Sequence, residues 1–125
     1  MIKIGVLELQ GNFESHHKIL KKLGYDSVGV KNSSDLECLD GLVLPGGEST
    51  TMSLLIDSFN LRDSLLDFSK KKPILGTCAG LILMAKNIEN ESKVNPLGIL
   101  DIAIDRNAYG RQIMSKKEQI NMKFN

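Results

Sequence analysis

Gly76-Thr77-Cys78-Ala79-Gly80 sets one thiol among four small residues, between one apolar run and another. A nucleophile on a sharp strand-to-helix turn projects from a strained backbone. Small neighbours avoid clashes across that turn, which is the mechanics of the G-x-S-x-G nucleophile elbow. The spacing predicts the thiol version, with Cys78 as nucleophile. At the start of a helix, exposed amides and the helix dipole favour the thiolate. The amide of Ala79 can then donate to an oxyanion. The alternative is a cysteine packed as a small hydrophobe, the usual fate of a lone cysteine; the glycine spacing argues for the nucleophile.

A second turn, Pro45-Gly46-Gly47-Glu48-Ser49-Thr50-Thr51, follows another apolar run. With no side chain in the way, the Gly46-Gly47 backbone can approach a substrate closely. It can supply a second oxyanion donor, worth about 3–4 kcal/mol in acyl transfer. Glu48, Ser49, Thr50 and Thr51 also offer caps for a following helix, and taken alone a plain turn and cap would account for them. The phosphate-binding pattern G-x-x-x-x-G-K-[ST] is not present. Gln10-Gly11 is a third glycine-containing turn. Cys38 lies in a polar connection, Asp35-Leu36-Glu37-Cys38-Leu39-Asp40, whose acidic residues disfavour a thiolate; it reads as structural. No metal-ligand spacing or carboxylate pair suggests another chemistry, so neither a metal nor a cofactor is expected.

These turns need a scaffold. Ile2 to Leu7 is apolar and β-branched, as in a strand covered on both faces. Asn12 caps a predicted helix to about Leu23, ended by Gly24. Ser27–Val30 and Asp40–Leu44 read as strands, 51 to about 59 and 61 to about 69 as helices, and Pro73–Thr77 as a fourth strand. A helix is predicted from Ala79 to about Asn87, and a fifth strand from Ile99 to Ile104. Alternating strands and helices predict an α/β fold: three layers around a parallel sheet of at least four strands. In such sheets ligands sit beyond the carboxyl ends of the strands, where all three glycine turns fall.

The chain has 125 residues, which suits one domain. Apolar residues make up 42% and charged residues 25%, as in a soluble globular protein. Sixteen basic and 15 acidic residues leave a net charge of +1, which excludes a global field for nucleic acid or anionic membrane. Aromatics are scarce and tryptophan is absent, which argues against a platform for stacking bases. No run approaches the ~18 apolar residues of a membrane span, and the N-terminus lacks a signal-peptide pattern. A cytoplasmic location is expected, with Cys38 and Cys78 as free thiols.

The segments "IGVLELQGNFESH", "DGLVLPGGESTTM", "KPILGTCAGLILMAK" and "DRNAYGRQ" together resemble the glutaminase subunit of pyridoxal 5′-phosphate synthase, a family of class I (triad) glutamine amidotransferases. The resemblance runs from Ile2 to about Gln112. It implies a flavodoxin-like sheet and hydrolysis of L-glutamine to glutamate and ammonia. The ammonia would pass to a ring-forming synthase subunit that makes pyridoxal phosphate. Residue by residue, it implies that Cys78 forms a glutamyl thioester. Gly46, Gly47, Glu48 and Ser49 would form the glutamine-binding and oxyanion loop with Ala79, and Arg106 would bind glutamine. Gln10 and the helix after it resemble the face that meets the synthase.

The sequence departs from the family in three places. Glu8 stands where the family has a small or apolar residue, and a carboxylate there needs the open edge or a partner. Ser115-Lys116-Lys117 replaces the family's continuation after "GRQ", so residues 113–125 read as a divergent tail. The family also continues beyond Asn125 and draws its catalytic histidine and glutamate from that region. The expectation is therefore one incomplete amidotransferase domain over residues 1–125, without the C-terminal strands; the alternative function is an inert, truncated product that at most binds the synthase. The two histidines, His16 and His17, fall on the helix after the first strand. That strand lies two places from the fourth, about 10 Å away. His17 is expected to face the core and His16 the solvent or a partner, both remote from Cys78.

Overall fold

The computed structural model describes residues 2–89 and 94–105. Strands β1 (Lys3–Leu7), β2 (Asp26–Val30), β3 (Gly41–Leu44) and β4 (Ile74–Gly76) form one parallel sheet in the order β2-β1-β3-β4. Helix α1 (Phe13–Lys22) connects β1 to β2, a 3₁₀ helix (Ser33–Leu36) precedes β3, and α2 (Ser49–Ser58) and α3 (Arg62–Lys71) connect β3 to β4. The chain steps from β1 to β2 in one direction and from β3 to β4 in the other. Right-handed crossovers therefore place α1 on one face and α2 with α3 on the opposite face. Three layers and at least four parallel strands are as the sequence predicts.

The two faces are not equally sealed. Leu7, Leu42 and Leu44 join Met52, Ile56, Leu61, Leu65 and Phe68 in the main core beneath α2 and α3. Helix α1 contains no buried residue. On its side of the sheet, Ile2, Ile4, Val43 and Leu75 line a shallow apolar depression with Leu20 and Tyr25.

Local chemistry explains the element ends. Gly24 has φ +86°, and past it the Tyr25 N–H bonds the Leu20 carbonyl while its own N–H bonds Lys21. That is the left-handed helix stop expected of this glycine. Asn12 is the cap residue of α1 by position, but its side chain takes the Ser15 hydroxyl (2.8 Å) instead of a helix amide. Asn32 and Asp35 form a reciprocal capping box on the 3₁₀ helix. At the α2–α3 corner, Arg62 holds Asp57 (2.6 Å) and the Pro96 carbonyl (3.3 Å). Beside it, the Ser53 hydroxyl accepts from the Asn95 N–H (2.9 Å). These bonds fix the segment that leads to the last strand.

One expectation is corrected past β4. The helix there, α4 (Ala79–Met84), is six residues long. It stops short of Asn87 because the chain turns into a strand, β5 (Ala85–Glu89). Ile88 within it is a β-branched residue that packs on the core. The last strand, β6 (Leu100–Asp105), pairs with β5 in a separate two-stranded parallel sheet and does not extend the main one. The leucine-rich run from Ala79 on suits either state, and pairing with a distant segment decides for strand.

Candidate functional site

Cys78 stands between β4 and α4 with φ +50° and ψ −115°. L-residues avoid these dihedrals, and holding one there costs of order 1–3 kcal/mol. Its thiol is exposed and free. The flanking glycines are required by contact. A Cβ on Gly80 would overlap the Leu44 carbonyl, and one on Gly76 would overlap the Gly80 backbone and the Met84 sulfur. Helix α4 therefore crosses directly against the last residue of β3. The turn is tied on both sides: Thr77 N–H donates to Leu44 O (3.1 Å), Gly80 N–H to Thr77 O (2.8 Å), and Ile82 N–H to Cys78 O (3.1 Å). Ala79 is buried, and as the first helical residue its N–H has no intrahelical acceptor. The short α4 leaves amide donors at the turn but only a small dipole behind them.

The second glycine turn abuts the first. A Cβ on Gly46 would lie 3.3 Å from Cys78 Cβ and 3.9 Å from its Sγ, so any side chain there would crowd the thiol. The Gly46 carbonyl accepts from Asn12 N–H (2.8 Å), and Glu48 N–H donates to Gln10 Oε1 (2.9 Å). The Gly46–Gly47 peptide is trans, so its N–H points away from Asn12. Gly11, at φ +101°, has no room for a Cβ because the Gly46 carbonyl occupies that space. The three glycine turns read from the sequence thus meet at one edge of the sheet.

Within this loop Glu48 caps α2. Its carboxylate accepts from Thr50 N–H (3.2 Å), Thr51 N–H (2.8 Å) and the Thr51 hydroxyl (2.8 Å). The cap starts α2 at Ser49, two residues before the predicted Thr51. Ser49 is buried, and among the described residues its hydroxyl is the one buried side-chain polar atom with no hydrogen-bond partner.

The histidines differ from expectation. His17 is half-buried, and its Nε2 meets Glu8 Oε2 at 2.5 Å while its Nδ1 meets Ser27 Oγ at 2.6 Å. This is the partner that Glu8 requires. Gly29 leaves the space, since a Cβ there would overlap the Glu8 carboxylate. His16 does not face away from the open edge. Its Nε2 lies 3.3 Å from Thr77 Oγ1, next to Cys78. Counting strands measured the separation of strand axes, but the bond from Asn12 to Gly46 draws the start of α1 over the end of β3. Burial, and then the charge of His17, push the His16 pKa below its ordinary value. Sequence reasoning thus missed His16, Thr77 and the Glu8–His17–Ser27 group. The one signal for the last was a carboxylate in an apolar strand followed nine residues later by a histidine.

Arg106 and residues 113–125 lie outside the described residues. Among the described residues, no group of three or more His, Cys, Asp or Glu side chains is placed to hold a metal. No helix there is long and apolar enough to cross a membrane.

A sequence profile of the SNO glutamine amidotransferase family matches residues 6–124. The chain is 58% identical over 114 residues to pyridoxal 5′-phosphate synthase subunit PdxT of Oenococcus oeni, covering 91% of this chain and 59% of that protein. It is 46% identical to the subunit of the same name from Solibacter usitatus, covering 96% of this chain and 62% of that one. It therefore spans about three-fifths of the length of these relatives. A crystal structure of a glutamine amidotransferase superposes with a TM-score of 0.80 at 39% identity, over 88% of this chain and 59% of that one. A putative peptidase E from Listeria monocytogenes superposes with a TM-score of 0.69 at 15% identity, a likeness of fold alone.

Proposed function

This chain belongs to the SNO glutamine amidotransferase family, and from that premise we propose that it is a glutaminase serving pyridoxal 5′-phosphate synthesis. The Cys78 thiolate attacks the side-chain amide carbon of L-glutamine. The carbonyl oxygen becomes an oxyanion, held by the N–H groups of Ala79 and Gly47. The C–N bond breaks, ammonia leaves with an added proton, and water hydrolyses the glutamyl thioester to glutamate. The ammonia passes to a ring-forming synthase subunit. Gly46, Gly47, Glu48 and Ser49 form the loop that receives glutamine, and Arg106 joins them on the family's pattern. The observation that carries this reading is the contact between the two glycine turns, where a Cβ on Gly46 would lie 3.3 Å from Cys78 Cβ and 3.9 Å from its Sγ. The partnerless Ser49 hydroxyl, within the same loop, supports its share in substrate binding.

A second reading is favoured by the histidines. The 125 residues contain two, His16 and His17, and both pair with groups other than the thiol: His17 with Glu8 and Ser27, His16 with the Thr77 hydroxyl beside it. A positioned acid–base group accelerates such proton transfers about 10²–10⁴-fold. In this reading the polypeptide of residues 1–125 binds the synthase subunit and turns over little glutamine.

Two measurements on that polypeptide separate the readings. One is capture of a diazoketone analogue of glutamine on Cys78, with protection by glutamine. The other is glutamate release, with and without the synthase subunit. Capture with turnover supports the glutaminase as a whole, and capture without turnover supports the second reading. Absence of capture overturns the assignment of Cys78 and its loop.

A further inference from the structure

The strained backbone of Cys78 must be held from outside, because such dihedrals persist only where the surroundings over-determine them. The bonds from Thr77 to Leu44 and from Gly80 and Ile82 back to Thr77 and Cys78 all lie within the β3–β4–α4 unit. Among the described residues, one side-chain hydrogen bond reaches the turn from another part of the chain: His16 Nε2 to Thr77 Oγ1, across 61 residues of sequence. Both side chains are part-buried, which limits competition from water. The same stretch of chain also grips the opposing turn, through Asn12 N–H on the Gly46 carbonyl and Gln10 Oε1 on Glu48 N–H. Residues 10–16 therefore touch both walls of the site, one wall through Gln10 and Asn12 and the other through His16.

We infer that His16 is a positioning residue for the nucleophile: by holding the Thr77 hydroxyl it fixes the cysteine turn against the Gly46-Gly47 turn. This rests on the reading of Cys78 as the nucleophile. His16 need not touch substrate to act. The depressed pKa of its ring keeps it uncharged near neutrality, and a neutral imidazole can pair with a hydroxyl in either direction. Without the bond, the turn relaxes toward common dihedrals and rotates the thiol away from the amides at the start of α4.

The test reads the rate of iodoacetamide capture at Cys78, with Cys38 in the same molecule as internal control. His16→Leu keeps the bulk and removes the bond, and it is expected to slow Cys78 about threefold to tenfold, in line with one hydrogen bond of ordinary net strength. Cys38 is expected to be unaffected. His16→Gln places an amide nitrogen where the imidazole nitrogen stood, and it should stay within about twofold of the parent on the same ground. Thr77→Val should match His16→Leu, and the double substitution should be no slower than either. Should His16→Leu not fold, the Thr77→Val and His16→Gln pair carries the test alone. An unchanged Cys78 rate in His16→Leu, or in Thr77→Val, overturns the inference. So does an equal loss in His16→Gln, or single effects that multiply. The readout contains no glutamine, so failure of the glutaminase assay and failure of this inference remain separate results.

Discussion

Cys38 and Cys78 look alike at short range. Both thiols are free and exposed, and both residues hold a positive φ, +64° and +50°. Their surroundings are not alike. Cys38 follows a 3₁₀ helix, has Glu37 and Asp40 as chain neighbours, and lies at an open depression with Leu36, Phe68 and Lys71. Cys78 has a strand before it, a helix after it, a glycine turn in contact and a histidine holding the preceding residue. An unusual dihedral and an accessible thiol do not make a site. What sets Cys78 apart is the convergence of separate chain segments on its turn.

The largest expected difference is between two alanine substitutions. Cys78→Ala should abolish capture of the diazoketone analogue and any glutamate release, since the attacking atom is gone. Cys38→Ala should leave both within about twofold, since Cys38 lies in another turn and alanine carries the same Cβ at its positive φ. Loss of capture in Cys38→Ala alone would reverse the assignment.

A smaller difference concerns the glycines beside each cysteine. Gly80→Ala drives a Cβ into the Leu44 carbonyl, and backbone cannot move aside cheaply. A loss of about 1–3 kcal/mol is expected, against which alanine's better helix propensity returns about 1 kcal/mol. Gly41, three residues after Cys38, is different: a Cβ there meets Ile4 and Pro73 at 3.4 Å or more, an ordinary contact. Gly41→Ala should hold or raise stability, by about 0.4–1 kcal/mol at most. Urea unfolding of the two variants decides, and equal midpoints would show that the crossing of α4 on β3 is looser than described.

Thiol reactivity should differ more modestly. Iodoacetamide should label Cys78 faster than Cys38, because the cysteine turn holds its side chain out from a strained backbone where two glycine turns meet. Partial labelling and peptide mass spectrometry measure the ratio. Preferential labelling of Cys38 would contradict the two environments.

The smallest effect is a pH dependence. Folding lowers the His16 pKa, so the folded state prefers the neutral ring. The stability tied to that preference is present above the ordinary imidazole value near 6.5. It is lost as pH falls from there through the lower folded value. The melting temperature of the parent should therefore fall slightly more than that of His16→Gln between neutral and mildly acid pH. Parallel curves would show that His16 titrates as in the unfolded chain.

Much of this was legible before any coordinates. The four strands of the main sheet carry short apolar runs, of which β3 and β4 end at proline or glycine, and the order 2-1-3-4 is that of the flavodoxin-like sheet the resemblance implies. Gly24 ends α1 because only a residue without a Cβ takes φ +86° without strain. The three glycine turns could be assigned to one edge because parallel strands end together. The early stop of α4 was not legible, since Leu81 to Ile88 is apolar in a pattern that suits helix and strand alike. Nor was the early start of α2, which the Glu48 side chain sets by bonding to amides ahead of it.

The sequence by itself determined the fold class, the cysteine turn and the loop that faces it, because each rests on local rules: apolar periodicity, turn chemistry and the steric need for glycine around a strained residue. Tertiary structure alone decided that Glu8 pairs with His17 under the space left by Gly29, that β6 turns to β5 instead of the main sheet, and that His16 reaches Thr77. The last depends on how α1 leans across strands to which it is not adjacent in sequence. That lean is fixed by the bond from Asn12 to Gly46, a contact between main-chain atoms that no residue type announces.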